Sequence, residues 1–280
     1  MYELIDGKKV AEHIKQQVKN EIESLEKDVT LAVIVVGDNP ASKVYVNNKK
    51  KACEYVGIRS VEYTLPEETT EDELLSLIEV LNSLRCINGI LVQLPLPNHI
   101  DESKVLERIT PEKDVDGFTA INTGKLWQGE YTLAPCTAMG IIELLDYYNI
   151  EIAGKHCVIV GRSNIVGKPL AALLLERDAT VTVCHSKTKS LSEITNKADI
   201  LISAVGKPKF ITWGFIKKDA IVIDVGINRD ENGKLCGDVD AENVANKVSL
   251  LTPVPGGVGP MTVAMLMKNT LTAAKDQYEI

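Results

Sequence analysis

The chain lacks an excess of positive charge: 31 Lys and Arg stand against 39 Asp and Glu, a net charge of −8 with histidine neutral. That balance argues against a nucleic-acid protein, whose surface must attract phosphate. It also lacks any apolar run of membrane-spanning length. Its first residues, Met-Tyr-Glu-Leu-Ile-Asp, have neither the basic start nor the apolar core of a signal peptide. The six cysteines, at 53, 86, 136, 157, 184 and 236, form no CxxC pair and no cluster with histidine. Neither a zinc site nor a disulfide framework is expected from that scatter, and a reduced cytoplasm is the expected location. No short-period repeat or low-complexity tract is visible. What remains is ordinary soluble-globular usage, 45% apolar and 25% charged. The length, 280 residues, is comfortable for two domains.

The most informative stretch is Val158-Ile-Val-Gly161-Arg-Ser-Asn-Ile-Val-Gly167-Lys-Pro169, followed by Leu170-Ala-Ala-Leu-Leu-Leu. An apolar run stops at a glycine, and a helical run follows a proline that suits a first helical turn. The pattern predicts buried strand, tight turn and helix. Free N–H groups at that helix N-terminus, with the positive end of its dipole, would suit a phosphate. The usual dinucleotide fingerprint is broken, because Ser163 takes the second glycine position and the last glycine comes one residue late. A Walker phosphate loop fails too, since its gap is too long and Pro169 replaces the metal-binding hydroxyl. An ordinary strand-to-helix turn is the bland alternative.

Earlier in the chain, Val10, Ile14, Val18, Ile22 and Leu25 recur at helical spacing. Leu31 to Val36 predicts a buried strand, and Asn39-Pro40 opens a helix that stops at Gly57. A strand near Val61 to Tyr63, a helix over 71–84 and a buried strand at 89–92 follow. Strands alternating with helices predict an α/β fold with a parallel sheet, in a first unit that ends near Gly117. Within it Tyr45 and Lys49 are four apart, so they share a helix face. A flat ring beside an amine that can exchange protons is a catalytic pairing; a solvated basic face, continued by Lys50 and Lys51, is the alternative. Short-chain dehydrogenases also use Tyr-x-x-x-Lys, but after their dinucleotide turn, and here the order is reversed. Gln93 ends a buried strand, where open α/β sheets place ligands. Pro95 and Pro97 stiffen its exit, and one of the two bonds is a candidate for cis. Lys113-Asp114-Val-Asp116-Gly117 reads either as an acidic site or as a solvated turn.

In the second half a helix from 136 leads to the Gly161 strand and then to the strand Ala179 to Cys184. An NAD site places Asp or Glu after that second strand. This chain has Ser186, with Lys187, Lys189 and Arg162 near in sequence or pattern, and no acid. Hydroxyl plus cation suits a 2′-phosphate, which favours NADP. Strands are predicted at 200–203 and 221–225, with Ile227 just past the latter. Thr252 to Thr262 is so rich in Gly and Pro that it reads as a shaped loop, with a helix from Val263 to Ala274 after it.

Together Tyr45-x-x-x-Lys49, Gln93-Leu-Pro-Leu-Pro97, Asp114-Val-Asp116-Gly-Phe118, Gly161 to Pro169 and Pro253-Val-Pro-Gly-Gly-Val-Gly-Pro260 resemble the bifunctional methylenetetrahydrofolate dehydrogenase/methenyltetrahydrofolate cyclohydrolase family. The resemblance covers essentially the whole chain, in the family's order and spacing. It implies two α/β lobes, a catalytic one of residues 1–138 plus 261–280 and a Rossmann-type one of 139–260, with a folate cleft between them. The last helix would return to the first lobe, and the protein would be a homodimer. It implies an NADP-dependent oxidation of methylenetetrahydrofolate and hydrolysis of the methenyl product to 10-formyltetrahydrofolate, in one-carbon metabolism, with no metal. By resemblance Lys49 handles protons, Gln93 positions Lys49, Asp116 holds the pterin and Tyr45 stacks on the folate. Pro255 and Gly256 would line the folate site; Gly161, Arg162, Ser163, Ser186 and Ile227 would hold the cofactor. A silent NADP- or folate-binding protein is one alternative, with no need of Lys49, Gln93 and Asp116 together; a dehydrogenase that has lost the second step is the other, and such relatives usually alter the lysine or glutamine position, both kept here.

Overall fold

The computed structural model describes residues 2–279, the side chains of 40–43 excepted. The proline expected after the Asn39 cap therefore has its side chain outside the described residues. In chain order the elements begin with β1 (Glu3–Leu4), α1 (Gly7–Ser24), β2 (Thr30–Val36), α2 (Pro40–Val56), β3 (Arg59–Leu65), α3 (Glu71–Ser83) and β4 (Gly89–Val92). Next come α4 (Glu102–Arg108), α5 (Ala120–Gln128), α6 (Cys136–Tyr147), β5 (His156–Val160), α7 (Gly167–Glu176), β6 (Thr180–Cys184), α8 (Leu191–Thr195) and β7 (Ile200–Ser203). The chain ends with β8 (Ala220–Asp224), β9 (Asn228–Arg229), β10 (Leu235–Cys236), α9 (Ala241–Val244), β11 (Val248–Leu251) and α10 (Val258–Tyr278).

Two compact units are present. One comprises Glu12–Cys136 with the chain from Val263 onward; the other comprises the residues up to Ala11 with Thr137–Thr262. In the first, a parallel sheet runs in the order β3-β2-β4. Its central strand, β2, is buried along its whole length. A strand covered on both faces needs no polar alternation, which is why Leu31 to Val36 reads as one apolar run. Helix α3 lays Leu74, Ile78 and Leu81 against that sheet. It starts at a capping box, in which Glu73 N donates to Thr70 Oγ1 while the Glu73 carboxylate accepts from Thr70 N; such a cap contributes about 1 kcal/mol. The unit does not end near Gly117 but continues through α5. Its last element, the C-terminal part of α10, is tied down by Gln277 Nε2, which donates to the Asn88 and Glu112 carbonyls, and by Tyr278 Oη, which donates to the Asp28 carbonyl.

The second unit holds a six-stranded, all-parallel sheet in the order β1-β11-β8-β7-β5-β6. The sequence expectation put residues 1–11 with the catalytic lobe, but β1 pairs with β11 at the edge of this sheet. The order reverses at β5, which lies between β6 and β7, and open α/β sheets bind ligands outside the carboxyl ends of strands at such a point. Helix α10 corrects a second expectation. It starts at Val258, so Gly259, Pro260, Met261 and Thr262 are helical rather than loop. Pro260 stands in the first turn, where an N–H would have no intrahelical partner anyway.

Candidate active site

Lys49 and Gln93 come together. Lys49 is one turn past Tyr45 on α2, and Gln93 is the residue after β4, held at the strand end by donating its N–H to the Ile34 carbonyl, 2.8 Å. Lys49 Nζ donates to Gln93 Oε1 at 2.9 Å, and Gln93 Nε2 donates to the Leu94 carbonyl at 2.7 Å. The Gln93 amide is thus used at both ends, and its oxygen faces the amine. Leu94–Pro95 is cis. The basic-face alternative fits Lys50, exposed and 3.4 Å from Glu62, but Lys49 is half-buried and aimed inward. Tyr45 remains 42% exposed, its ring free to stack on a flat ligand.

The segment 113–117 is not a solvated turn. Lys113 is buried and its Nζ donates to the carbonyls of Leu81, Asn82 and Leu84 at the end of α3. Asp114 is buried and accepts from Phe118 N, Thr119 N and Asn122 Nδ2, which fixes the start of α5. Asp116 is the chemical one of the two acids. Desolvation pushes its carboxyl up to about 6, against the pull of the nearby Lys49 charge and with a further push from Asp114. An amine, an amide oxygen and a carboxyl that can gain a proton near neutral pH can together orient a polar ring and move protons.

The turn after β5 is built for a close approach. Gly161 has φ +133°, and a Cβ there would come within 2.3 Å of the Ala204 carbonyl oxygen; one on Gly167 would lie 2.2 Å from the Gly161 oxygen. The expectation of free N–H groups at the start of α7 needs correction. Val166 N and Gly167 N both donate to Ser163 Oγ, and Lys168 N donates to the Ser163 carbonyl. Ser163 therefore caps the helix and keeps only its hydroxyl hydrogen to give. Arg162 and Ser186 are brought into step by the sheet: Val160 and Cys184 are register partners on β5 and β6, and each residue lies two positions beyond its strand. Both are exposed. Ile227 is half exposed past β8, Pro255 is exposed after a cis bond, and Gly256 is buried with its carbonyl accepting from Lys8 N. The close-approach turn, with an exposed hydroxyl and an exposed cation at matching register positions, fits a dinucleotide with a 2′-phosphate. Among the described residues no three His, Cys, Asp or Glu converge as metal ligands would, and no helix is long and apolar enough to cross a membrane.

Residues 5–116 match the model of the tetrahydrofolate dehydrogenase/cyclohydrolase catalytic domain, and residues 135–278 match that of the same family's NAD(P)-binding domain. The chain belongs to the tetrahydrofolate dehydrogenase/cyclohydrolase family. It is 60% identical over 275 residues to the bifunctional protein FolD of Lachnoclostridium phytofermentans, covering 97% of this chain and 98% of that one. The crystal structure of the bifunctional enzyme FolD, methylenetetrahydrofolate dehydrogenase/cyclohydrolase, from Campylobacter jejuni superposes with a TM-score of 0.96 at 51% identity, over 99% of each chain. That of the Trypanosoma brucei dehydrogenase-cyclohydrolase, complexed with NADP and an inhibitor, gives 0.95 at 39% identity, over 100% of this chain and 99% of that one.

A tetrahydrofolate dehydrogenase/cyclohydrolase needs its loops held as well as its reacting groups, and here sequence reasoning missed the holders. Asp238, fully buried, accepts from Ser203 Oγ, Val205 N, Gly206 N, Lys207 N and Asn228 Nδ2. Asp224, at the end of β8, accepts from Gly226 N, Asp238 N and Val239 N. The two carboxylates gather the loops after β7 and β8, yet in sequence they are isolated acids without a motif.

The two acids with raised values should respond in opposite ways to loss of charge. Burial lifts Asp116 from 3.8 to about 6 and Asp224 from 3.8 to about 7. In both cases the fold prefers the protonated form, so stability is highest below the ordinary value and falls as pH rises through the folded one. For Asp116 the loss should be about 1–2 kcal/mol, given 1.36 kcal/mol per unit and a discount for its partial exposure. Asp116→Asn should therefore resist urea better than the parent at pH 8 and no better at pH 4. Asp224→Asn should be weaker at both, because its new NH₂ would face backbone N–H groups. A less stable Asp116→Asn at pH 8 would sink the reading of that carboxyl.

Proposed function

We infer that this chain oxidises 5,10-methylenetetrahydrofolate with NADP and then hydrolyses the methenyl product to 10-formyltetrahydrofolate. The observation that carries the reading is the Lys49 to Gln93 hydrogen bond, with the Asp116 carboxyl close enough to feel the lysine's charge. A protein that only bound folate or NADP would have no use for that arrangement.

NADP, when bound, accepts the hydride; Gly161, Arg162, Ser163, Ser186 and Ile227 are the residues we assign to holding it. The methylene carbon lies between two nitrogens, which share the positive charge left when hydride departs. That step therefore asks for orientation more than for an acid or base. Asp116 takes the polar edge of the pterin, Tyr45 stacks on its plane, and Pro255 and Gly256 contact the folate. The second step moves protons. Water adds to the methenyl carbon, the bond from that carbon to one ring nitrogen breaks, and the carbon remains as a formyl group on the other. The water's first proton leaves to solvent as it adds; the charged Lys49 Nζ then gives a proton to the departing nitrogen and takes back the hydroxyl's remaining proton as the formyl C=O forms. Gln93 Oε1 fixes where that amine points.

We further propose a homodimer, on the open edge of β3, whose outer N–H and C=O groups have no strand beside them among the described residues. Ser60 Oγ on that strand is buried without a hydrogen-bond partner, and on the strand's other face Tyr63 and Leu65, with Pro66 and Leu77, border a cavity of about 590 Å³. Light scattering on the eluting protein should give twice the chain mass of 30.6 kDa. The activity itself is tested by supplying methylenetetrahydrofolate and NADP and following methenyl absorbance. Absorbance that rises and then decays supports both steps; a rise without decay removes the hydrolase, and no rise removes the dehydrogenase.

A further inference from the structure

Asn269 stands on α10, far in sequence from Lys49, Gln93 and Asp116, and is 5% exposed. Its Nδ2 donates to the Val115 carbonyl at 2.8 Å and to the Ala134 carbonyl at 2.9 Å, and lies 3.5 Å from Cys136 Sγ. Cys136 Sγ in turn donates to the same Val115 carbonyl at 3.4 Å. An amide NH₂ has two hydrogens, and both are spent on these two carbonyls.

The two carbonyls flank Asp116. Val115 is the residue before it. Gly117, the residue after it, has φ +69° and packs so tightly on the Ala134–Pro135 peptide that a Cβ would sit 2.7 Å from Ala134 C. One side-chain amide thus clamps the peptide on the near side of Asp116 and the peptide on which its far side rests. The clamp is not the only tie from α10 to this region, since Gln277 Nε2 donates to the Glu112 and Asn88 carbonyls at the other end of the helix. That second tie grips four residues upstream and leaves the flanks of Asp116 untouched.

We propose that Asn269 is a positioning residue for the folate reaction: it sets the backbone on both sides of Asp116 and with it the place of the carboxylate. The proposal rests on the reading of Asp116 as the group that holds the pterin. Asn269 does not touch substrate. It acts by removing the freedom of the 115–117 peptides, whose displacement would move the carboxylate relative to the ring it grips.

The test compares Asn269→Ala with Gln277→Ala, which deletes three side-chain hydrogen bonds, two given by Nε2 and one accepted by Oε1 from Asn88, from the same helix without touching the flanks of Asp116. KM is measured separately for methylenetetrahydrofolate and NADP, kcat/KM for the folate is followed from pH 5 to 8, and melting is recorded for each variant. Misplacing a binding group can cost up to about a hundredfold, so Asn269→Ala should lower folate kcat/KM by roughly tenfold or more. The NADP KM should stay put, and the acid limb of the folate pH profile should shift. Gln277→Ala should melt earlier and keep the parental folate KM and pH profile. If Asn269→Ala does not fold, Asn269→Ser, which keeps one donor, takes its place and should show the same changes in smaller degree. Equal folate KM values for the helix variants and the parent, or an equal rise in both helix variants, would overturn the proposal. Asp116→Asn run alongside separates the two levels: a normal folate KM there overturns the reading of Asp116, and the proposal with it. A raised KM there with normal Asn269 variants overturns the positioning alone.

Discussion

Replacing Lys49 with methionine should lower methenyltetrahydrofolate hydrolysis by about 10²–10⁴-fold, the range general acid–base help supplies, while part of the hydride transfer survives. Methionine keeps the bulk of the lysine stem and removes only the amine. Gln93 then loses the donor to its Oε1, but its Nε2 bond to the Leu94 carbonyl and its N–H bond to Ile34 remain, so the strand end should stay in place. Hydride transfer needs the substrate held, and Tyr45 and Asp116 are untouched. The visible sign in the coupled assay is methenyl absorbance that accumulates where in the parent it decays. A Lys49→Met protein that folds, binds NADP and hydrolyses methenyltetrahydrofolate at the parental rate would take Lys49 out of the mechanism.

The second expected result concerns the choice of cofactor. Arg162 and Ser186 leave β5 and β6 at matching register positions, and no acid follows β6 to hold a ribose hydroxyl. A phosphate held by a cation and a hydroxyl forms charge-assisted hydrogen bonds of about 1.5–3 kcal/mol each. About 1.4 kcal/mol is a factor of ten, so NADP should outperform NAD by roughly tenfold or more in kcat/KM. Arg162→Ala should narrow that gap, chiefly by weakening NADP. Its side chain is exposed, so the loss should leave melting nearly unchanged. Equal use of both cofactors by the unaltered protein would end the argument from the missing acid.

Some of this was open to reading from the residues, for physical reasons that differ by element. Strands β2, β4, β5 and β7 are buried at nearly every position, and burial on both faces writes an apolar run into the sequence. Strand β1 is two residues long and exposed, and its place in the sheet depends on β11, nearly the whole chain away; no local pattern encodes that pairing. The start of α10 was hidden because Gly259 and Pro260 read as helix breakers, although a first turn tolerates both. Asp114 and Asp116 look alike in sequence. They differ because Thr119 and Asn122, downstream, satisfy one carboxylate and not the other. Ser163 stands where a fingerprint has glycine, and its capping bonds to Val166 and Gly167 appear only when the turn is built.

Neither unit is a single piece of chain. The six-stranded sheet takes its edge strand from the N-terminus, and the three-stranded unit takes its last helix from the C-terminus. A ribosome delivers the chain from one end only, so the amino-terminal strand must wait for β11 before it has a partner. Residues 12–136 must wait for the stretch beyond 263 before the Val115 and Ala134 carbonyls meet Asn269. Both closures therefore come late in synthesis, after β11 and α10 have been made, and each unit is incomplete until then. A break near residue 136, where a domain boundary would invite a cut, yields two fragments that each lack a part held by the other.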